Sequence, residues 1–381
     1  MKPQKPSPIY RKIIAKPKDY NPSHIDSTII GTFNAPITLI KDSKGLEKIL
    51  VMVRVAEAHK RTRDGKIYLP YFKIPNEEGH PPQMGFDEYQ RKELRIRKKD
   101  VRLKDGTDRL KHISLPRKML LDLKFNILER QQNPAIYPTW EYERFGKEDL
   151  RITPMEDGRY IITYVCPHRE EGVSTAALST LDFNTYERIP NGNTSRPIII
   201  EVKDVAIFSE KVPSPFKTET IKKGQEVYTG LTRPNGSDIS PSGIWVSYSP
   251  DLVCWGMHHR LTRDKETTGT GSPPIRYKNK WIAAYHKTFK VEGQNNPGYK
   301  TSLFSIDAKE PWKNFKTSGD FLVREDYLDL LPKKGYVDPV VYTIGMVEHN
   351  GVTIFSSGIG DKWNAIDAFY TEDISKFIER S

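Results

Sequence analysis

The chain of 381 residues, 36% apolar and 29% charged, is long enough to bury a core of its own, and its 28 prolines and 25 glycines favour many short strands over long helices. Of the net charge of +11, residues 91–112 alone supply +6, with ten Lys or Arg against four Asp or Glu. That segment holds no aromatic residue to stack a base and no zinc-finger or RNP-like motif, which argues against nucleic acid as a partner.

The opening "MKPQKPSPIYRKIIAKPKDY" is basic and Pro-rich and lacks the apolar run of a secretory signal. No later run approaches the roughly 18 apolar residues of a membrane span, so the expectation is a cytoplasmic protein with no membrane partner. Residues 1–30 read as an N-terminal arm. "EKILVMVRVAE" (47–57) is the first alternating apolar strand, and residues 57–111 read as a Lys-rich insertion behind it. Further strands of the same kind are "GRYIITYVCP" (158–167), "SGIWVSYSPDLVCWG" (242–256), "NKWIAAYHKTF" (279–289) and "NGVTIFSSGIG" (350–360), each with period-2 alternation bounded by Gly, Asn, Asp or Pro. Helical patterns are confined to 87–98, 115–124 and 371–380. Cys166 and Cys254, the only two cysteines, are expected as reduced core residues. A few short strands repeated at this spacing predict an all-β fold, a five-bladed β-propeller with the arm and the insertion attached, residues 31–381 forming one domain. A pair of β-sandwiches is the competing architecture.

Polar residues within or beside these strands would converge on a propeller axis. They are Asn34, Arg54, Glu148, Asp149, Arg151, Lys203, Asp204, Glu210, Arg233, His286, Tyr299 and Asp361. Singly, each has a plain structural reading: a snorkelling Arg54, a core His286, a turn capped by Glu148 and Asp149. Together, carboxylates beside several cations are what a site for sugar and phosphate requires, because cations neutralise phosphate oxygens and an acid protonates a leaving oxygen. No P-loop, dinucleotide fingerprint or EF-hand spacing is present, so nothing asks for a nucleotide or a metal, and inorganic phosphate would be a co-substrate, not a cofactor.

The segment "PAIYPTWEYERFGKEDLRITPMEDGRYIITY" resembles glycoside hydrolase family 130, the β-mannoside phosphorylases and β-mannosidases. "TFNAPITL", "KILVMVRVAE", "KDVAIFSEKV", "YTGLTRP", "IWVSYSPDLVCWG", "GTGSPPIRYKNKWIAAYHKT" and "GYVDPVVYTIG" extend the likeness in order over about residues 31–375. The resemblance implies a five-bladed propeller. It implies Asp149 as proton donor, acting through a hydroxyl of the bound mannose, and Arg54, Lys203, Arg233, His286 and Tyr299 around phosphate. Asn34, Glu148, Arg151, Asp204 and Asp361 fall at sugar-contacting or supporting positions. The implied reaction is inverting phosphorolysis of a β-1,2- or β-1,4-linked mannoside to α-mannose 1-phosphate. An inverting β-mannosidase with Glu210 as base, a mannosyltransferase on the same scaffold and a non-catalytic glycan-binding propeller are the alternatives. Leu150, Ser209, Thr232 and Pro339 depart from the family pattern. The arm and the insertion are candidate contacts for a homo-oligomer.

Overall fold

The computed structural model describes residues 4–60, 65–75, 82–97, 100–167, 173–190, 196–219, 221–234, 243–262, 268–293, 297–331 and 339–381. Nearly all regular structure is antiparallel β, in five principal sheets. The first orders Ser27–Phe33, Glu47–His59, His112–Leu121 and Ile127–Arg130, with Ile37–Lys41 also on Glu47–His59. Glu148–Pro154, Tyr160–Pro167, Val173–Thr180 and Glu187–Ile189 make the second. The third runs Val202–Ile207, Glu226–Pro234, Trp245–Ser249, Gly256–Arg260. Thr268–Thr270, Lys280–Phe289, Gly298–Asp307 and Lys316–Leu322 form the fourth. In the fifth, Val341–His349, Val352–Ile359 and Trp363–Tyr370 are joined by Tyr10–Ala15 from the other end of the chain.

Alternation explains how these strands bury two faces. Along Glu47–His59, Val51, Val53 and Val55 enter a cluster with Met119, Ile354 and Ile366, while Leu50 and Met52 enter another with Ile152, Ile162 and Tyr164. Each sheet therefore packs on its neighbours: Ile37–Lys41 touches Glu148–Pro154, which touches Val202–Ile207, which touches Thr268–Thr270. Lys280–Phe289 touches Val341–His349, and that strand touches Ile37–Lys41 of the first sheet.

Several expectations need correction. Residues 10–15, expected within an arm, are a sheet strand, with Arg11 opposite Asp367. The insertion, outside 61–64, 76–81 and 98–99, which are not among the described residues, forms the ribbon Lys66–Lys73 with Gln83–Gln90 and a three-stranded sheet of Arg95–Ile96, Asp100–Arg102 and Asp108–Leu110. Of the three helical patterns only Thr371–Arg380 is an α-helix, and the described part of 87–98 holds no more helix than the 3-10 turn Arg91–Glu93. Residues 115–124 fall mostly in a strand paired with Glu47–His59, because pairing and burial between two strands override a weak local preference. Of the stretch 242–256, whose first residue is not among the described ones, only Trp245–Ser249 is strand; a turn in which Asp251 Oδ1 accepts from the amides of Val253 (2.9 Å) and Cys254 (2.8 Å) follows, and the next strand starts at Gly256. Cys254, in that turn, is exposed rather than buried, whereas Cys166 is buried as expected. No helix is long and apolar enough to cross a membrane among the described residues.

Candidate active site

Two bulges at equivalent places build the centre of the site. In the second sheet Glu148 pairs with Val165 and Arg151 with Thr163, so Asp149 and Leu150 together face only Tyr164. In the third, Lys203 pairs with Arg233 and Ala206 with Leu231, so Asp204 and Val205 face only Thr232. Asp149 (φ 47°) and Asp204 (φ 58°) both adopt the left-handed region, as do Asn34 (φ 50°) and Asp361 (φ 52°). Asn and Asp tolerate that region best among residues with a side chain, and a bulge re-aims its side chain out of the pleat.

The bulged Asp149 accepts from Asn34 Nδ2 (2.8 Å) and Arg54 Nη1 (2.5 Å), both on Oδ1. Arg54 also bonds Glu148 through Nη2 and donates from Nε to Ser114 Oγ (3.0 Å), with its guanidinium 4.7 Å above the Phe33 ring. Burial pushes the Glu148 carboxyl up, but Arg54 and then His112, whose Nε2 lies 3.6 Å away, outweigh it and hold the group at about 2. Glu148 is therefore ionised at neutral pH. Arg54, expected at phosphate, thus clamps the two adjacent carboxylates while still lining the cavity.

Around the second bulge the order is reversed, with one carboxylate holding two cations. Asp204 accepts from Arg151 Nη2 (3.0 Å) on Oδ1 and from Arg233 Nη1 (3.0 Å) on Oδ2. Tyr342 Oη accepts from Arg151 (2.9 Å) and donates to Asp204 (3.2 Å). Arg151 is 1% exposed and also reaches the carbonyls of Asp149 (3.0 Å), Thr270 (2.8 Å) and Gly271 (2.7 Å), tying the second sheet to the fourth. Burial would raise the Asp204 pKa, yet Arg151 and Arg233 carry it well below the usual carboxylate range. His286 lies 3.0 Å from Arg233 Nη1 through Nε2. Arginine only donates, so Nε2 accepts and the proton sits on Nδ1, which is buried with no hydrogen-bond partner among the described residues. Burial, opposed by Asp204 and reinforced by Arg233, Arg151 and Lys203, keeps the ring neutral far below its usual 6.5. Burial likewise lowers Lys203.

A cavity of about 1250 Å³ joins the two centres. Asn34, Arg54, Glu148, Asp149, Lys203, Asp204, Arg233, His286, Tyr299 and Asp361 all line it. Of the expected site residues, Arg151 sits behind the wall as a support, and Glu210, half-buried, is not among the lining residues. Sequence reasoning missed Tyr342, His112 and Gly269. A Cβ on Gly269 would meet His286 Cε1 at 2.5 Å and Asp204 Oδ2 at 2.6 Å, so only glycine lets the three groups close up. Tyr342 lies in the quoted segment "GYVDPVVYTIG", but its same-face neighbours Val340 and Ile344 are apolar and cluster with it, so the pattern marks it as core. Nothing local marks His112 or Gly269.

The crowded acids and bases of "EYERFGKEDLR" separate into two tasks. Glu143, fully buried, bonds Lys147 Nζ (2.5 Å), Tyr164 Oη (2.6 Å), Arg188 Nη2 (2.8 Å) and the Thr139 amide (2.7 Å), and so fixes the short 3-10 turn Glu141–Glu143. Glu148, Asp149 and Arg151 follow at once and face the cavity or its wall. Burial pushes Glu143 up, but Lys147 and Arg188 bring it to about 2. Lys147, with one carboxylate for complete burial, is lowered.

Residues 120–380 match the family model of glycoside hydrolase family 130, described as beta-1,4-mannooligosaccharide phosphorylase. Beta-1,2-mannobiose phosphorylase of Listeria innocua is 27% identical over 356 residues, covering 91% of this chain and 90% of its own. A 1,2-beta-oligomannan phosphorylase of Thermoanaerobacter sp. is 22% identical over 240 residues, 60% of this chain and 70% of its own. The solved structure of the Listeria innocua enzyme in complex with beta-1,2-mannobiose superposes with a TM-score of 0.77 at 24% identity, covering 96% of this chain and 97% of that one.

Proposed function

The chain belongs to glycoside hydrolase family 130, and from that membership we propose that it is an inverting β-mannoside phosphorylase releasing α-mannose 1-phosphate. The five sheets then read as the blades of a five-bladed propeller over residues 31–381, with the strand Tyr10–Ala15 completing the last blade. The packing of each sheet on the next, and of the fifth on the first, supports this. The full-length likeness to a β-1,2-mannobiose enzyme favours a β-1,2 linkage.

One observation carries the reaction: Lys203, Arg233, His286 and Tyr299 line the same cavity as Asp149. Lys203 and Arg233 offset phosphate charge, and the neutral His286 offers a buried Nδ1–H to a phosphate oxygen. Phosphate held there attacks the anomeric carbon from one side while the leaving sugar departs on the other, with inversion. Asp149 delivers the proton to the leaving oxygen through a hydroxyl of the mannose. Hydrolysis by an inverting route needs a second carboxylate free to activate water. Glu210 lies off the cavity, Glu148 is bound by Arg54, Asp204 is bound by two arginines and Asp361 also acts on Arg54, which favours phosphorolysis.

Incubation with mannobioses of each linkage, with and without phosphate, tests the reading. Mannose 1-phosphate formed only with phosphate is the expected product. Free mannose released equally fast in both would replace the phosphorylase by a mannosidase.

A further inference from the structure

The cavity, about 1250 Å³, is larger than the roughly 300–1,000 Å³ of an ordinary small-molecule pocket, and the insertion supplies part of its lining. His59, Lys60, Lys66, Tyr68, Arg91 and Lys111 line it there. Arg54 and His59 share one strand, and at about 3.3 Å per residue His59 stands roughly 16 Å beyond the catalytic centre. That is farther than one pyranose ring reaches.

The far end has a defined construction. Tyr68 stacks on His59 with ring centroids 4.3 Å apart and planes 24° apart, and Phe86 meets His59 edge-on at 4.7 Å. Lys66, next along the ribbon from Tyr68, pairs with Glu88 at 2.5 Å, and Glu88 is the cross-strand partner of Tyr68. The ring contacts on His59 pin the ribbon to the strand that carries Arg54, and the Lys66–Glu88 pair ties the ribbon's own two strands together. A fixed aromatic face in a cavity that Lys60, Lys66, Arg91 and Lys111 also line suits a sugar, whose C–H face lies on the ring while its hydroxyls accept from the N–H groups those cations keep beyond their bonds to Ile25, Glu88 and Arg97. Displacement chemistry places the leaving sugar opposite the attacking phosphate. The phosphate-side groups come from the third and fourth sheets, and the insertion hangs on the first.

Resting on the phosphorylase reading, we propose that the insertion is the acceptor-recognising element. Tyr68 is a stacking platform for a sugar beyond the one that leaves, so that β-mannooligosaccharides bind better than the disaccharide. The synthetic direction tests this, with α-mannose 1-phosphate as donor and mannose, mannobiose or mannotriose as acceptor. In the wild type, KM falls as the acceptor lengthens. Tyr68→Ala raises KM for mannotriose about tenfold while KM for mannose 1-phosphate holds, and Tyr68→Phe, which keeps the ring, restores it. Arg91→Ala, at an exposed position where folding is not at stake, raises the same KM about threefold. Equal KM values for all three acceptors in the wild type, or Tyr68→Ala and Arg91→Ala acting alike on every acceptor, overturn the platform. A wild type that forms no mannose 1-phosphate from any mannoside refutes the phosphorylase reading instead.

Discussion

Asp149 stands where a side chain must be both aimed and tolerated, at a bulge with positive φ. Asparagine accepts that backbone as readily and keeps an oxygen for Arg54 and Asn34, so Asp149→Asn removes the acid while Arg54 keeps Glu148 as its counter-charge. We expect kcat on mannobiose to fall about 10²–10⁴-fold with the melting temperature nearly unchanged. A nitrophenyl mannoside, whose leaving group needs no proton, should lose far less; equal losses on both substrates would mean that Asp149 positions rather than protonates. Gly269→Ala tests the other centre. The new methyl has to displace His286, Asp204 or Arg233, and phosphate KM should rise about tenfold while KM for the mannoside changes little. Phosphate titrations on the folded variant read this directly.

At the scale of elements, the turn ahead of Glu148 depends on Glu143. Its carboxyl sits at about 2 in the fold against a usual 4.5, so its contribution is complete above 4.5 and is lost as pH falls toward 2. Glu143→Gln leaves Lys147 and Arg188 facing a neutral amide and should cost about 3 kcal/mol at pH 7. The deficit should shrink below pH 4 as the wild type loses the same charge. Urea melts across that range measure it, and a deficit independent of pH would show packing, not charge, at work. The same segment shows what sequence could disclose. The sequence pattern located the strands around 47–57, 158–167, 279–289 and 350–360 through β-branched and aromatic runs bounded by turn residues, although in the fold both faces of each are buried. It did not distinguish the strand at 112–121 from a helix, since its Leu, Met, Lys and Arg suit a helix as well and only pairing with Glu47–His59 decides between them. Chemistry was legible where residues are adjacent, as in Glu148, Asp149 and Arg151. The Arg54 clamp on both acids was not, since that pairing spans more than ninety positions and is created by the fold.

For the molecule as a whole, the two chain ends meet in one sheet. Tyr10–Ala15 pairs with Trp363–Tyr370, and Arg11 Nε bonds the buried Asp367, which also accepts from Tyr327 Oη at 2.6 Å. Burial raises the Asp367 pKa despite Arg11, so this carboxylate depends on its cation more than most. Arg11→Ala strands it, and the cost should be about 3 kcal/mol at neutral pH, most of it the penalty of an unpaired buried charge. A group with a raised folded pKa binds its proton more readily in the fold, so the deficit should lessen as pH falls through that value. The double variant Arg11→Ala, Asp367→Asn removes the charge along with its partner and should be more stable than Arg11→Ala alone. Urea midpoints at pH 7 and pH 5 separate the outcomes. If single and double variants unfold together at both, the closure rests on backbone pairing along Tyr10–Ala15, and the ion pair adds nothing to it.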